Sequence, residues 1–270
     1  MNKPEVYVKT NTLPQIDAEN TLNNNVAFLQ DINNHTVIDV GCGPGNVTFE
    51  KILPLLPTIT KTVLGVDISY HNIEYARKHY QNDSRISYEV LDILADVLPK
   101  EYVCGFDLVL SFHCFNYVGN HHKALMNVYE MLKPNGKMLI SFIGKCVLHD
   151  IYLEISNKPK WQKYMVNDVK KWVPPYFSIN YYEILLKEIG FEQIHCEEVK
   201  TRIYYSKQDT FDILSALNVY PVPKSQELEF IQDHMNCFEE KGLFTVQNDG
   251  KRLLRYEYDI FTFTAKKGFI

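Results

Sequence analysis

Two periods of hydrophobic and polar positions alternate along most of this chain. Between 37 and 143, short apolar runs alternate with stretches whose apolar residues recur at helical spacing. Val37-Ile38-Asp39-Val40 is a run short enough for a buried strand. Gly41, Gly43 and Gly45 follow within five residues, then a helical pattern over about 46–53 that Pro54 ends. The pattern predicts a second strand over 62–67. A helix follows over 69–80, with Ser69 as its N-cap and Ile73, Ala76 and Tyr80 on one face. Strands are expected over 86–92, 106–111 and 137–143, a helix over 122–132, and a turn at Pro134-Asn135-Gly136. This alternation predicts an α/β doubly wound parallel sheet with helices on both faces. Ligands of such sheets bind at the carboxyl ends of the strands.

The rhythm is different at both ends. Residues 1–12 are mostly polar, with Tyr7 the only aromatic among them. Leu22, Val26 and Leu29 predict a helix over 17–29. Residues 144–175 contain Trp161, Trp172 and Pro174-Pro175, and read as inserted helices with an irregular end. Helices are expected over 181–189, 209–217 and 226–240, and extended chain over 193–205. A turn at Asn248-Asp249-Gly250 precedes a closing strand over 253–264. The expected layout is one domain over 1–270. Residues 1–30 form an N-terminal arm or lid, and 145–180 and 208–245 form helical cap insertions.

Composition narrows the partners. At 270 residues the chain can bury a sizeable core. A net charge of -5, with both signs spread along the chain and no basic stripe, argues against nucleic acid. No apolar run reaches the length of a membrane span and no signal peptide opens the chain, so a cytoplasmic protein without a membrane partner is expected. Cys42, Cys104, Cys114, Cys146, Cys196 and Cys237 form no CxxC pair and read as reduced thiols. Glycosylation sequons at Asn46 and Asn82 carry no meaning in that compartment. The 18 tyrosines and 15 phenylalanines fill a core or line an apolar small-molecule pocket.

The glycine turn discriminates among nucleotide ligands. It reads GxGxG and lacks the later glycine that suits a pyrophosphate. No lysine followed by Ser or Thr closes it, so it is not a P-loop. A nucleoside ligand with close backbone approach remains, and S-adenosylmethionine fits. The backbone of Gly41, Cys42 and Gly43 is expected to admit its methionine and ribose parts. Asp67, with Ile68 beside it, closes the second strand, where it can accept both ribose hydroxyls. Asp92 can accept from the adenine amino group, and Ile93 can pack on the ring. Asp39, inside an apolar strand, holds either the glycine turn or the amino-acid part of the cofactor. Ser111 at the end of the fourth strand completes the expected set, and no metal is expected.

The segments DVGCGPG, GVDIS, LDI and FDLVLSF resemble the signature of class I S-adenosylmethionine-dependent methyltransferases. That resemblance implies a Rossmann-like seven-stranded sheet. More narrowly, the chain is similar to the insect juvenile hormone acid methyltransferases. Tyr7, Asn11-Thr12-Leu13 and Asp17-Ala18 carry this likeness at the start, and Lys160 to Met165, Pro174 to Ser178 and Ile189-Gly190-Phe191 carry it later. Departures fall where the acid would sit. Pro14 stands where that family usually has a glutamine, with Gln15 one place on. Phe115-Asn116-Tyr117 replaces a Leu-His-Trp run, and His113 replaces a tyrosine.

Methyl transfer from a sulfonium is an in-line displacement that needs alignment and a dry site. A carboxylate acceptor is already ionised and needs only positioning. A phenol, with a pKa near ~10, gains from a nearby base by a factor on the order of 10² to 10⁴. His113 is expected near the methyl as that base or as an orienting group; packing is its alternative. Gln15 and Tyr117 complete the catalytic candidates. Tyr7, Pro14 and Asn116 are acceptor-binding candidates, and the resemblance adds Trp172, Tyr176 and Phe177 as pocket walls. His121 and His122 read as a solvated helix start.

The expected function is an O-methyltransferase acting on a small hydrophobic molecule, leaning to a vinylphenol-like phenol because of the three departures. A sesquiterpenoid carboxylic acid, such as juvenile hormone acid or farnesoic acid, is the alternative. A catalytically inactive S-adenosylmethionine-binding protein is the reading of another class. A homodimer is the one self-association left open.

Overall fold

Val37 and Ile38 are both fully buried, yet they point to opposite faces of the same strand. A strand covered on both faces reads as a continuous apolar run. The computed structural model of the chain describes residues 4–31, 33, 35–165, 178–218 and 220–269. Its first strand, β1 (Thr36–Val40), pairs in parallel with β2 (Thr62–Asp67) on one side and β4 (Phe106–Phe112) on the other. β3 (Ile86–Val90) extends the sheet beyond β2, and β5 (Leu132–Cys146) lies beyond β4, again in parallel. β8 (Arg252–Lys267) then runs antiparallel between β5 and β6 (Phe191–Tyr205). The order is β3-β2-β1-β4-β5-β8-β6, and the short β7 (Phe244–Val246) pairs with β8. This is the expected Rossmann-like seven-stranded sheet, except that β8 runs antiparallel between β5 and β6 and the short β7 is added beside it.

One face is covered by α4 (Tyr70–His79) and by the N-terminal α2 (Thr12–Asn24) and α3 (Val26–Leu29). Leu22, Leu29 and Ile73 pack there against Val37, Val63 and Leu108. α5 (His121–Met131) and α8 (Ile179–Ile189) cover the other face, meeting Ile38, Val66 and Val109. A fully buried aliphatic side chain contributes roughly 1.5–3 kcal/mol, so the two faces together dominate cohesion of the sheet. A third core gathers α6 (Val147–Ser156), α7 (Pro159–Met165), α9 (Lys207–Leu217) and α10 (Lys224–Glu240). Trp161 is fully buried in it, and its indole N–H donates to Asp233 at 2.6 Å. No helix among the described residues is long and apolar enough to cross a membrane.

Several local expectations change. Residues 4–10 form a helix, α1 (Pro4–Thr10), although no apolar period announces it. The helix after the glycine turn widens into a π-helical turn over Thr48–Ile52 and ends in a 3₁₀ turn at Leu53–Leu55. The Pro134-Asn135-Gly136 turn is a bulge inside β5: the register jumps from Phe106↔Leu132 to Leu108↔Lys137, and Asn135 takes φ 65°. His121 is buried rather than solvated, accepting from Tyr182 Oη at Nδ1 and donating from Nε2 to the Phe115 carbonyl. Burial holds its pKa below the usual histidine value.

Candidate functional site

The turn after β1 is held by the strand beside it. The N–H groups of Gly41 and Cys42 both donate to the Val66 carbonyl, at 2.7 and 2.9 Å. Gly41, Gly43 and Gly45 take φ of 77°, 56° and 89°, where a side chain is strained. Their roles differ. A Cβ on Gly41 would lie 2.3 Å from the Cβ of Cys114, and one on Gly45 would lie 2.8 Å from the Cβ of Ala76. These two glycines serve packing. A Cβ on Gly43 would meet nothing within 4 Å, because it opens onto a cavity of about 290 Å³.

That cavity lies across the carboxyl ends of the first four strands. Asp39, Gly41, Cys42 and Gly43 line it after β1, and Asp67 and Ile68 after β2. Asp92 and Ile93 follow after β3, and His113 and Tyr117 after β4. Asp67 is held rigidly: Oδ2 accepts from Gly43 N–H at 3.0 Å and Oδ1 from Ser69 N–H at 2.8 Å. Oδ1 also accepts from Asn72 Nδ2 at 3.3 Å, while Oδ2 keeps a second lone pair for a ligand hydroxyl. Asp92 Oδ1 accepts from Leu94 N–H at 2.8 Å, which fixes the loop beyond β3. Asp39 is 2 % exposed, and its Oδ2 accepts from the Thr48 hydroxyl at 2.6 Å. Burial pushes its carboxyl up to about 7, against the Thr48 hydrogen bond, and nearby Asp67 adds to the rise. A buried carboxylate so placed suits a ligand that brings its own cation.

Ser111 is a correction. It is fully buried, its hydroxyl donates to the Val40 carbonyl at 2.8 Å, and it does not line the cavity. On a strand flanked by two parallel neighbours its side chain ties β4 to β1. Gln15 is the second correction. It reaches neither cavity; its amide donates to Asn11 Oδ1, and Asn11 lines the site in its place. Pro14 takes the inward direction on α2, and the next residue lies about 100° round the helix.

A second cavity of about 130 Å³ adjoins the first. Tyr7, Asn11, Pro14, His113 and Tyr117 line both, so the N-terminal arm and the segment after β4 form the shared wall. Asn116 belongs to the second cavity alone, and its Oδ1 accepts from Ile143 N–H at 3.0 Å. The remaining wall comes from the cap and from β8, including His149, Tyr152, Leu214 and Tyr256. No sequence signal marked these; they come from three distant segments. Burial pushes the Tyr117 hydroxyl up to about 12 and raises those of Tyr7 and Tyr152 further, so all three keep their protons at neutral pH. Tyr117 is 38 % exposed and lines both cavities. Trp172, Tyr176 and Phe177 lie outside the described residues.

Comparison with known proteins agrees with this layout. A family model described as a methyltransferase domain matches residues 32–190. The juvenile hormone acid O-methyltransferase of Drosophila melanogaster is 34% identical over 99% of this chain and 93% of its own length. That of Bombyx mori is 29% identical over 99% of this chain and 98% of its own. The YcgJ protein of Bacillus subtilis superimposes with a TM-score of 0.62 over 92% of this chain and 98% of its own, at 15% identity, a likeness of fold. A phosphoethanolamine N-methyltransferase 2 of Haemonchus contortus, solved with S-adenosylhomocysteine, gives 0.54 over 92% of this chain and 52% of its own, at 18% identity. With a glycine turn and acidic strand ends framing the larger cavity, and with full-length relatives of this kind, the chain belongs to the class I S-adenosylmethionine-dependent methyltransferases.

Proposed function

We propose that this chain methylates the carboxyl oxygen of a small hydrophobic acid of the sesquiterpenoid kind. The observation that carries the reading is the character of the shared wall. Tyr7 and Tyr117 keep their protons there. Asn116 spends its carbonyl oxygen on Ile143 N–H, which leaves its NH₂ group to donate. Such donors suit a carboxyl acceptor, one of whose oxygens they can hold. Beyond them the second cavity is walled largely by apolar and aromatic side chains, as an isoprenoid tail requires. Both full-length relatives are named for a carboxylic acid, and neither supports the phenol toward which Pro14, His113 and Tyr117 lean.

S-adenosylmethionine, when bound, supplies the electrophilic methyl. Asp67 takes the ribose hydroxyls, Asp92 the adenine amino group with Ile93 on the ring, and Asp39 the α-ammonium. The Gly41–Gly43 backbone borders the methionine part. Tyr117 and Asn116 orient the acceptor oxygen, and His113 lies between the two cavities. Tyr7 and Pro14 make α1 and α2 a lid, and α6, α7, α9 and α10 act as the acceptor cap. Excluding water removes hydrolysis and strips the acceptor oxygen of its hydration shell.

The test is a methyl-transfer screen over farnesoid acids and small phenols, read by mass spectrometry. Methyl esters of the acids are expected. Turnover of phenols alone would overturn the reading. Tight cofactor binding in calorimetry without turnover of any acceptor would instead favour the inactive binding protein.

A further inference from the structure

Behind the shared wall lies a buried polar set that cofactor and acceptor binding leave unexplained. Asp17 and His113 are 6 % and 7 % exposed, and His113 Nε2 stands 3.1 Å from Asp17 Oδ2. The two atoms are close but not aligned as a hydrogen bond, so the contact is electrostatic in this geometry. Asp17 Oδ1 accepts from the Tyr258 hydroxyl at 2.9 Å. The His113 main chain is pinned as well. Its N–H donates to the Ser141 carbonyl at 2.8 Å, and its φ of 56° is a strained value for a residue other than glycine. One turn along α2, Thr21 Oγ1 lies 3.4 Å from Ser141 Oγ. Three elements, α2, β5 and β8, thus fix His113 and Asp17: β5 through the His113 main chain and β8 through Asp17.

A buried carboxylate is costly unless it faces donors. Tyr258 supplies one to Oδ1, and the group facing Oδ2 is His113 Nε2. The ring proton therefore belongs on Nε2, and Nδ1 is the nitrogen left to the two cavities that His113 lines. We infer that Asp17 is a positioning residue for methyl transfer: it keeps the proton on His113 Nε2 and presents Nδ1 to the acidic oxygen of the acceptor. An apolar cavity favours the protonated form of an entering acid. That acid passes its proton from oxygen to Nδ1, and the freed oxygen pair attacks the methyl carbon as the methyl–sulfur bond breaks. The imidazolium lies between the acceptor and Asp17 until the proton leaves with product. Only the identity of the acceptor rests on the function proposed above.

Asp17→Asn is the test, made in the wild type and in a His113→Gln background. In the wild type kcat/KM for the acid is expected to fall about 10- to 100-fold, the cost of a misaimed group, mainly in kcat and with cofactor affinity unchanged. In the His113→Gln background the same change should cost nothing further. Ring ¹⁵N spectra of the ligand-free protein at pH 8, with His113 assigned by its loss in His113→Gln, should show Nε2 protonated and Nδ1 bare. Asp17→Asn should mix the two tautomers. Equal losses in both backgrounds, or a wild-type ring protonated on Nδ1, would overturn the inference. If Asp17→Asn does not fold, Tyr258→Phe should give a smaller loss of kcat, and the wild-type spectrum still decides. If no acid is turned over, the proposed function falls while the ring spectra still settle the role of Asp17.

Discussion

Asp39 gives the sharpest test of how the cofactor is held. Its carboxyl is pushed from the ordinary carboxyl value of 3.8 up to about 7 by burial, so in the ligand-free protein it is half protonated near neutrality. The α-ammonium of S-adenosylmethionine needs the charged form. Binding therefore expels a proton, and affinity is full above pH 7 and falls as pH drops through that value. With a ligand-free pKa of about 7, affinity at pH 6 should be about tenfold weaker than at pH 8. The ligand's own amino group also titrates, so the comparison is with Asp39→Asn at each pH. That variant can still accept from Thr48 but carries no charge. It should bind about 10- to 100-fold more weakly at pH 8, the usual worth of a charge-assisted hydrogen bond. It should also lose the extra tenfold drop toward pH 6. Calorimetry with S-adenosylhomocysteine, in buffers of different ionisation enthalpy, measures both affinity and proton release. If wild type and variant weaken in parallel between pH 8 and 6, Asp39 is not the ammonium partner. The stability sign is opposite. A raised folded pKa contributes stability below pH 4 that is lost as pH rises through about 7, so ligand-free Asp39→Asn should melt higher than wild type at pH 8.

The glycine turn separates folding from binding. Gly41→Ala drives a Cβ into Cys114 at a positive φ and should destabilise the fold by several kcal/mol in urea titrations. Gly43→Ala meets only open cavity; it should cost about 1–2 kcal/mol of backbone strain and weaken cofactor binding without unfolding the chain. Leu214→Trp fills part of the second cavity, and should raise KM for the acceptor while leaving cofactor affinity within about twofold, since Leu214 lines the second cavity alone. Trp161→Phe removes the hydrogen bond to Asp233 and should cost about 1–3 kcal/mol of cap stability, seen as earlier loss of hydrogen-exchange protection in α7 and α10.

The parallel half of the molecule was legible because its signals are local. An apolar run ending in Asp67, or a glycine turn behind Val40, names both a strand and the place where that strand stops, and strand ends define the larger cavity. What the sequence hid depends on which way side chains turn. Ser111 sits at a strand end like its neighbours, yet it turns toward Val40 rather than outward. Gln15 and Pro14 are adjacent, and only packing of α2 decides that Pro14 and Asn11 face the site. α1 carried no period because it is short: Tyr7 turns to the cavities, and the helix otherwise meets α4 and α9. Asp17 read as an ordinary helix residue until Tyr258, far along the chain, was beside it.

The position of β8 has a further consequence, for the order in which the molecule assembles. Among the described residues β6 joins the sheet only through β8, a strand synthesised after it. Until β8 pairs with β5, β6 has no partner in the main sheet, and Tyr256, Leu254 and Tyr258 are out of place. The parallel strands β1 to β4, by contrast, pair with one another and with β5, and α2 to α5 and α8, all made before β8, cover their faces. Pulse-labelled hydrogen exchange during refolding should therefore protect Val37 and Val63 before Val199 and Tyr256. A nascent chain would acquire the means to hold the methyl donor before it had anywhere to put the acceptor.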